Sequence, residues 1–203
     1  MSTVTPAIPR PGAVLADVLP AASATGARAR VRDVALVAGG AVLTGLAAQL
    51  AVPIPGSPVP VTGQTFAALL VGAGLGAGRG FASMALYALV GSLGLPWFAQ
   101  GQSGWGGTSF GYVLGMLLAA TVVGALARRG GDRRALRTAG TMAVGMVATY
   151  AVGVPYLALS TGMSPGQAIA AGLVPFLVGD ALKALLAMGA LPAAWKLAGR
   201  HGS

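Results

Sequence analysis

The chain has 203 residues, of which 55% are hydrophobic and only 8% are charged. Because a soluble domain carries about 25% charged residues, these charges are too few to cover a water-facing surface, and we predict an all-α membrane protein with several spans. The chain has no cysteine, which excludes disulfide and thiolate chemistry. One histidine and four acidic residues are too scattered to form a metal site, so we expect neither a metal nor another cofactor.

The formal net charge of +9 allows two interpretations. Strongly basic chains often bind nucleic acid, but here the arginines lie between apolar runs, as they do in membrane proteins that concentrate Lys and Arg on the cytoplasmic side. We therefore attribute the charge to membrane topology and expect no nucleic-acid partner.

The first segment, residues 1–30, is rich in Pro, Ala, Ser and Thr and lacks the early apolar core of a signal peptide. We expect it to form a flexible cytoplasmic tail. The following residues, 31–200, are expected to form a transmembrane domain, in which six apolar runs predict six helices. In chain order these runs cover 34–52, 64–77, 80–95, 109–127, 138–159 and about 175–197.

Positive charges alternate along the predicted spans. Lys and Arg occur before the first span and after the second, fourth and sixth, whereas the connections 53–63, 96–108 and 160–174 contain none. Since cytoplasmic loops concentrate Lys and Arg, this alternation predicts a multi-pass protein of the cell membrane with both termini in the cytoplasm.

The connections without positive charge are predicted to be external. The first contains four prolines in the run PIPGSPVPVTG, so it is stiff and can serve either as a cavity wall or lid or as a rigid connector. The second carries aromatic residues that suit an interfacial belt or the mouth of a pocket. In the third, Ser164 and Pro165 predict the start of a short helix that Gly172 can end. Pro175 then suits the first turn of the last span.

Asp180 and Lys183 lie inside the apolar run of the last span. An unpaired charge at the centre of a bilayer costs at least ~2.5–3.5 kcal/mol, so such residues usually face the bundle interior and mark a binding or transport site. At i and i+3 the two side chains share a helix face. They can bind a ligand that has both N–H donors and a carbonyl or anionic group, or they can form a self-neutralised pair that only tightens helix packing.

Two glycine motifs have structural explanations. The sequence GTSFG matches the nucleophile motif G-x-S-x-G, but it opens a membrane span and the only histidine lies near the C-terminus. We therefore expect Thr108 or Ser109 to cap a helix, and we do not expect Ser109 to act in a hydrolase. Pairs such as Gly72/Gly76 and Gly111/Gly115 predict close helix packing. The chain also lacks a G-x-x-x-x-G-K-[ST] phosphate loop, so it is not expected to hydrolyse ATP itself.

Three blocks of sequence carry a family resemblance: VPIPGSPVPVTGQTFAALLVGAGLGAGRG, LPWFAQGQSGWGGTSFGYVLG and VGDALKALLA. They make the chain, over roughly residues 33–197, similar to the BioY family, the biotin-binding S-components of energy-coupling-factor (ECF) vitamin transporters. The block PVPVTGQTF and the Asp-x-x-Lys of the last span are specific when they occur together.

The resemblance implies the six-helix ECF S-component fold, with both termini inside and a cavity near the outer surface that takes up biotin from outside. It also implies association, in the lipid bilayer, with a transmembrane coupling protein and two ATPase subunits that drive import, and it implies that the chain is not an enzyme. Ala47 and Ala51 match the family's Ala-x-x-x-Ala contact with the coupling protein, and looser small-residue pairs in the same span remain alternatives.

The resemblance further implies a ligand site. Asp180 and Lys183 match the family's ligand-binding pair, and a polar contact from the 96–108 connection falls on Gln100 or Gln102. By their chemistry, Asp180 can accept from a ureido N–H of biotin, while Lys183 can donate either to the ureido carbonyl or to the terminal carboxylate.

The other predicted contacts are aromatic or neutral. Four aromatic residues can cover the biotin ring and chain: Trp97, Phe98, Trp105 and Tyr112. Gln64 and Thr65 can supply further hydrogen bonds from the start of the second span. Each buried polar group matched in this way avoids a penalty of ~1–3 kcal/mol. Two other functions stay open: an S-component for a different small vitamin, and a proton-coupled secondary transporter in which Asp180 titrates.

Overall fold

The structure, a computed structural model, describes residues 12–18 and 25–200, without the side chains of 199 and 200. Within these residues the chain is mainly helical. The α-helices are α1 (Gly26–Ala48), α2 (Gln64–Leu75), α3 (Ala77–Ser92), α4 (Phe110–Arg128), α5 (Ala135–Thr161), α6 (Pro165–Gly172) and α7 (Leu177–Arg200). Short 3₁₀ turns lie at Leu15–Val18, Ala99–Gly101 and Val174–Phe176. Two short antiparallel strands, β1 (Ala51–Val52) and β2 (Val61–Thr62), form a hairpin between α1 and α2.

In the described part of the chain, four helical stretches are long and apolar enough to cross a membrane: α1, α4, α5 and the combined stretch Pro165–Ala198. The prediction of an all-α membrane protein is therefore confirmed. The helices α2 and α3 have 12 and 16 residues. At 1.5 Å per residue, these lengths reach only about 18 and 24 Å, less than the ~30 Å hydrocarbon core. The count of six spans thus stays a prediction.

The helices α2 and α3 form a tight helical hairpin around Gly76. This residue ends α2 and precedes α3 with φ +84°, a left-handed conformation that glycine adopts without steric cost. One turn earlier, Gly72 faces α4, where an added Cβ would collide with the backbone of Ala120. Gly115 has the same relation to the Thr149 backbone of α5. The predicted close packing at Gly72 and Gly115 is confirmed, and it lets α4 occupy the centre of the bundle.

The short helix α6 begins and ends as its sequence predicts. The Ser164 hydroxyl accepts from the Gln167 N–H, and the Gln167 side chain accepts from the Ser164 N–H, which together form a capping box. Pro165 occupies the first helical position and Gly172 the last. Pro175 lies in a 3₁₀ turn, so α7 begins at Leu177 and Asp180 falls in its first turn.

Residues 12–18 lie against the end of the bundle at which α3 begins and α4 ends, which we call the arginine end. Val14 and Ala16 are 0% and 2% exposed and belong to the same apolar cluster as Ala127 and Leu191. The helix α1 begins at Gly26, eight residues before the predicted span start at 34. Within the predicted tail 1–30, residues 12–18 thus pack on the bundle and residues 26–30 belong to α1, whereas residues 1–11 and 19–24 lie outside the described part. The division into a tail and a transmembrane domain stays a prediction.

Arginine side chains hold residues 12–18 in place. The Asp17 carboxylate accepts from Arg79 at 3.0 Å and lies 3.8 Å from Arg128. Guanidinium groups also donate to backbone carbonyls: Arg128 to Gly12, Arg133 to Ala13 and Arg32 to Ala16. Burial acts to raise the pKa of Asp17, but hydrogen bonds from Arg79 and from the Val14 N–H, with the charges of Arg79 and Arg128, lower it below the usual 3.8.

A second buried carboxylate ties the connection between α4 and α5 to α7. Asp132 is 0% exposed and accepts from the Trp195 indole N–H at 2.7 Å. The Arg133 guanidinium lies 4.3 Å from the centre of the same indole ring, a cation–π contact. Burial raises the pKa of Asp132 despite the opposing hydrogen bonds from Trp195 and its own backbone and the charge of Arg133. This contact fixes the end of α7 opposite to Asp180.

We predict that Asp17→Asn lowers Tm by about 2–4 °C, because a partly exposed ion-pair network contributes up to ~1 kcal/mol. Since the folded pKa of Asp17 is lowered, its contribution is complete at neutral pH and is lost as the pH falls below 3.8 and through the folded pKa. Thermal unfolding of the purified protein in detergent, followed as a function of pH, measures both effects. Arg134→Gln, a charge removal at an exposed position of the same end, is the control. An unchanged Tm for Asp17→Asn at neutral pH would show that the segment is not held by this carboxylate.

Candidate functional site

A cavity lies between the β-hairpin, the start of α2, the first turns of α4, the central part of α5 and the first turns of α7. It encloses about 480 Å³ of space, part of which is open to solvent. Its lining consists of Val59, Pro60, Thr62, Gln64, Thr65, Ala99, Ser109, Tyr112, Met116, Thr149, Tyr150, Phe176, Asp180 and Lys183. The predicted residues Gln64, Thr65, Tyr112, Asp180 and Lys183 are all among them, so the structure brings five of the seven together.

The charged groups of the cavity form one hydrogen-bonded unit. The Lys183 ammonium donates to Oδ1 of Asp180 at 3.1 Å, and the Tyr150 hydroxyl donates to Oδ2. The Asp180 and Lys183 side chains are 6% and 12% exposed. A buried charge is strongly unfavourable unless it is paired and hydrogen-bonded, and here both carboxylate oxygens have a donor.

The position of Asp180 in its helix adds a further stabilising contribution. It lies in the first turn of α7, where unsatisfied backbone N–H groups give the helix end a partial positive charge. A carboxylate at this position is favoured by roughly 0.3–1 kcal/mol at exposed sites and by more when it is partly buried. The 3₁₀ turn that contains Pro175 therefore matters to the site, because it sets where α7 begins.

Aromatic side chains form the apolar wall beside the charged groups. Tyr112 stacks on Phe176 with ring centres 6.4 Å apart and meets Tyr150 edge to face at 6.2 Å. Its hydroxyl donates to the Gly172 carbonyl at 2.7 Å, at the end of α6. Tyr112 is thus fixed at both ends of its ring, and it joins α4 to the segment that leads into α7.

Gln64 and Thr65 enter the cavity at the first two positions of α2, directly after the β-hairpin. The Gly63 N–H donates to the Leu50 carbonyl at 3.0 Å and so fixes the start of α2 against the end of α1. Gln64 is 5% exposed, and no hydrogen bond to its side-chain amide occurs within the described part of the chain. A buried amide that borders a cavity is available to donate to and accept from a ligand.

The proline-rich connection between β1 and β2 forms a wall of the cavity. Val59 and Pro60 line it, and Val59 is 5% exposed. The Thr108 hydroxyl donates to the Pro58 carbonyl at 3.2 Å, which joins this wall to the loop before α4. Of the two interpretations of this connection, the structure supports a cavity wall.

Trp97, which we expected to cover the ligand, lies outside the cavity. Its indole N–H donates to the Tyr87 carbonyl at 3.0 Å, and its ring packs on Tyr87 at 5.2 Å. The ring also fills the space beside Gly45 of α1, where any Cβ would be too close to it. Trp97 therefore fastens α1 to α3, and its role in covering the ligand stays a prediction.

Gln100, also expected to contact the ligand, is exposed and does not line the cavity. Among the described residues it is the only non-glycine residue with a positive φ, at +60°. This backbone turn directs its neighbour Ala99 toward the cavity instead. A local reversal of this kind depends on the loop geometry, so spacing alone could not reveal it.

Several lining residues were missed in the sequence, above all Tyr150 and Phe176. Tyr150 sits in the apolar run of α5, and the only signal was a phenol hydroxyl inside a membrane span, which needs a partner when it is buried. Phe176 follows Pro175 and had no polar signal at all. Their roles depend on which helices become neighbours, and this information is not present in either local sequence.

Ser109 occupies the predicted N-cap position of α4 and lines the cavity, but its hydroxyl makes no capping hydrogen bond. No histidine lies in the described part of the chain, so a Ser–His arrangement is not present there. The same residues contain no cluster of acidic, histidine or cysteine side chains that could hold a metal.

The chain is similar in sequence to known proteins. The family model described as BioY family matches residues 21–200. A protein of Pyrococcus horikoshii named "Probable biotin transporter BioY" is 35% identical over 162 residues, which cover 78% of this chain and 93% of that protein. The "Biotin transporter BioY" of Thermotoga maritima is 34% identical over 139 residues, covering 67% of this chain and 80% of that protein.

A solved structure shares the fold. The crystal structure of the S-component for biotin from an ECF-type ABC transporter superposes with a TM-score of 0.75 at 22% sequence identity and covers 85% of this chain and 95% of that one. The sequence match extends over most of the chain and includes every residue that lines the cavity. The chain therefore belongs to the BioY family.

Proposed function

We propose that this protein is the biotin-binding S-component of an ECF transporter, which captures biotin from outside the cell. The observation that carries the proposal is the Asp180–Lys183 pair, buried in a cavity and bordered by aromatic side chains. Support comes also from the relatives that are named biotin transporters. In this proposal biotin is the ligand and no cofactor takes part.

The charged pair fits the ureido ring of biotin. The ring carries N–H donors next to a carbonyl acceptor, and Asp180 and Lys183 present an acceptor next to a donor, with their polar atoms 3.1 Å apart. The biotin carboxylate fits less well here, because it would approach the carboxylate of Asp180, whose charge repels it and already neutralises that of Lys183. Of the two groups that Lys183 could hold, we therefore propose the ureido carbonyl.

The rest of the lining suits the remaining parts of biotin. Tyr112, Phe176 and Met116 form an apolar surface for the sulfur ring and the alkyl chain. Gln64 and Thr65, at the positively polarised start of α2, are placed to hydrogen-bond the more polar end of the ligand. Selectivity follows from mismatch, since an analogue that leaves one of these buried polar groups unpaired loses ~1–3 kcal/mol.

The proposed topology places the arginine end in the cytoplasm and the cavity end outside, with six membrane crossings and both termini inside. The distribution of Lys and Arg supports this orientation. Import then requires a transmembrane coupling protein and two ATPase subunits, as the S-component fold suggests. The chain would contribute capture and specificity, and its partners would contribute the energy.

A proton-coupled transporter that uses Asp180 is the alternative to test. Asp180 is buried, as a titrating carrier group would be, but its two oxygens are both occupied by donors from the protein. Biotin uptake by cells that express the protein with an ECF module should persist after collapse of the proton gradient. It should stop when the ATPase subunits cannot hydrolyse ATP. The opposite pattern would favour the alternative.

We predict that Asp180→Asn and Lys183→Met each weaken biotin binding by about 10- to 100-fold, because each removes a hydrogen bond to a charged group in a buried site. Calorimetric titration of the purified protein measures the effect. The controls are Asp33→Asn, which changes a carboxylate at the arginine end, and Lys196→Met, which changes an exposed lysine of the same helix.

Competition with thiamine and riboflavin tests the identity of the ligand. If the wild-type protein binds either of them more tightly than biotin, the proposed ligand is wrong and another vitamin takes its place. Affinity for biotin that is unchanged in both site variants would contradict the assigned site while leaving the family membership intact.

The proposed ligand orientation makes a separate prediction. Biotin methyl ester lacks the carboxylate charge but keeps the ureido ring. If Lys183 holds the ureido carbonyl, Lys183→Met should weaken the binding of biotin and of its methyl ester by the same factor. If Lys183 instead holds the carboxylate, the variant should weaken biotin binding alone and leave the affinity for the ester unchanged.

A further inference from the structure

We propose that Tyr150 is a positioning residue that sets the orientation of the Asp180 carboxylate and thereby the affinity for the ligand. The inference rests on the proposed function, since it concerns the same cavity. Asp180 and Lys183 both lie on α7, whereas Tyr150 lies on α5. The Tyr150 hydroxyl therefore donates to the Asp180 carboxylate from a neighbouring helix.

Lys183 alone cannot fix the carboxylate plane of Asp180. It donates only to Oδ1, at 3.1 Å, and the terminal torsion of an aspartate side chain is broad. A second donor at Oδ2 removes this freedom, and Tyr150 supplies it. Each oxygen has two lone pairs, so a carboxylate held in this way can still accept from a ligand N–H.

Tyr150 is itself held in place by its neighbours. Its ring meets that of Tyr112 edge to face, with an interplanar angle of 88° and centres 6.2 Å apart. The Tyr112 hydroxyl is anchored on the Gly172 carbonyl at 2.7 Å. A continuous series of contacts therefore runs from the end of α6 through α4 and α5 to the carboxylate on α7. Such support from packed rings is what a precise binding geometry requires.

The direction of the Tyr150 hydrogen bond also matters to the ligand. A phenol has a single proton, and because this proton goes to Asp180, only lone pairs of the hydroxyl remain for the cavity. Tyr150 and Asp180 together therefore present acceptors alone. This arrangement suits an N–H group of a ureido ring, and it fixes the acceptors before the ligand arrives, which lowers the entropic cost of binding.

Tyr150→Phe tests the inference because it removes the hydroxyl and keeps the ring that packs on Tyr112. Titration of the purified full-length chain with biotin should show an affinity about tenfold weaker or more, since the lost hydrogen bond involves a charged group. Tyr156→Phe is the matched control: it removes a hydroxyl from the same helix at a residue that packs on Phe110 and does not line the cavity. It should leave the affinity unchanged.

A double-mutant cycle separates positioning from general packing. Without ligand, Tyr150→Phe should lower Tm in the wild-type background but have little further effect when Asp180 and Lys183 are replaced together by Ala and Met, because its partner is then gone. Tyr150→His keeps a ring and an N–H donor and should recover part of the biotin affinity lost in Tyr150→Phe. If Tyr150→Phe does not fold, the comparison of Tyr150→His with Tyr150→Leu, which has no donor, takes its place.

The outcomes are distinct. Wild-type protein that does not bind biotin contradicts the proposed function. Wild-type protein that binds biotin, together with a Tyr150→Phe variant of equal affinity, overturns the role of Tyr150 alone. The same conclusion follows if the Tm loss of Tyr150→Phe is undiminished when its carboxylate partner is absent, since the residue then acts through packing and not through Asp180.

Discussion

A carboxylate that is only 5% exposed within an apolar helix must be compensated by neighbouring donors, and Asp180 takes them from two helices. Lys183 comes from the next turn of α7 and Tyr150 from α5, so the carboxylate is satisfied only when these helices are correctly placed. Removing one partner of such a group is expected to cost several kcal/mol, because the other charge is left buried. The hydrogen bonds of the cavity therefore form only when α5 packs correctly on α7, and the same contacts hold these two helices together.

The two ends of the bundle use charge in different ways. At the cavity end a single acid–base pair is buried and remains available to a ligand. At the arginine end, guanidinium groups from several segments converge on residues 12–18, where Asp17 and backbone carbonyls accept from them. Asp132 and Trp195 anchor the far end of α7. The helix that carries the site is thus fixed at one end and hydrogen-bonded into the cavity at the other.

Much of this arrangement could be predicted from the sequence because its signals are local. Apolar runs located the helices, the Ser164–Pro165 pair located α6, and charges in an apolar run marked Asp180 and Lys183. Tyr150 could not be found in this way, because its role exists only when α5 and α7 are neighbours. The sequence also could not show that Trp97 and Gln100 lie outside the cavity lining, because the direction of a side chain in a loop depends on the folded backbone. The packing of residues 12–18 was missed because its partners are 16 to 120 positions away in the chain.

The most direct measurement is an experimental structure of the protein with biotin bound. The account predicts the ureido ring at the Asp180–Lys183 pair, with a ring N–H within about 3.2 Å of a carboxylate oxygen and the carbonyl at a similar distance from the lysine ammonium. The Tyr150 hydroxyl should still donate to Asp180, and the biotin carboxylate should lie away from this pair. A structure in which the biotin carboxylate contacts Lys183, or in which biotin occupies another part of the protein, would contradict the account.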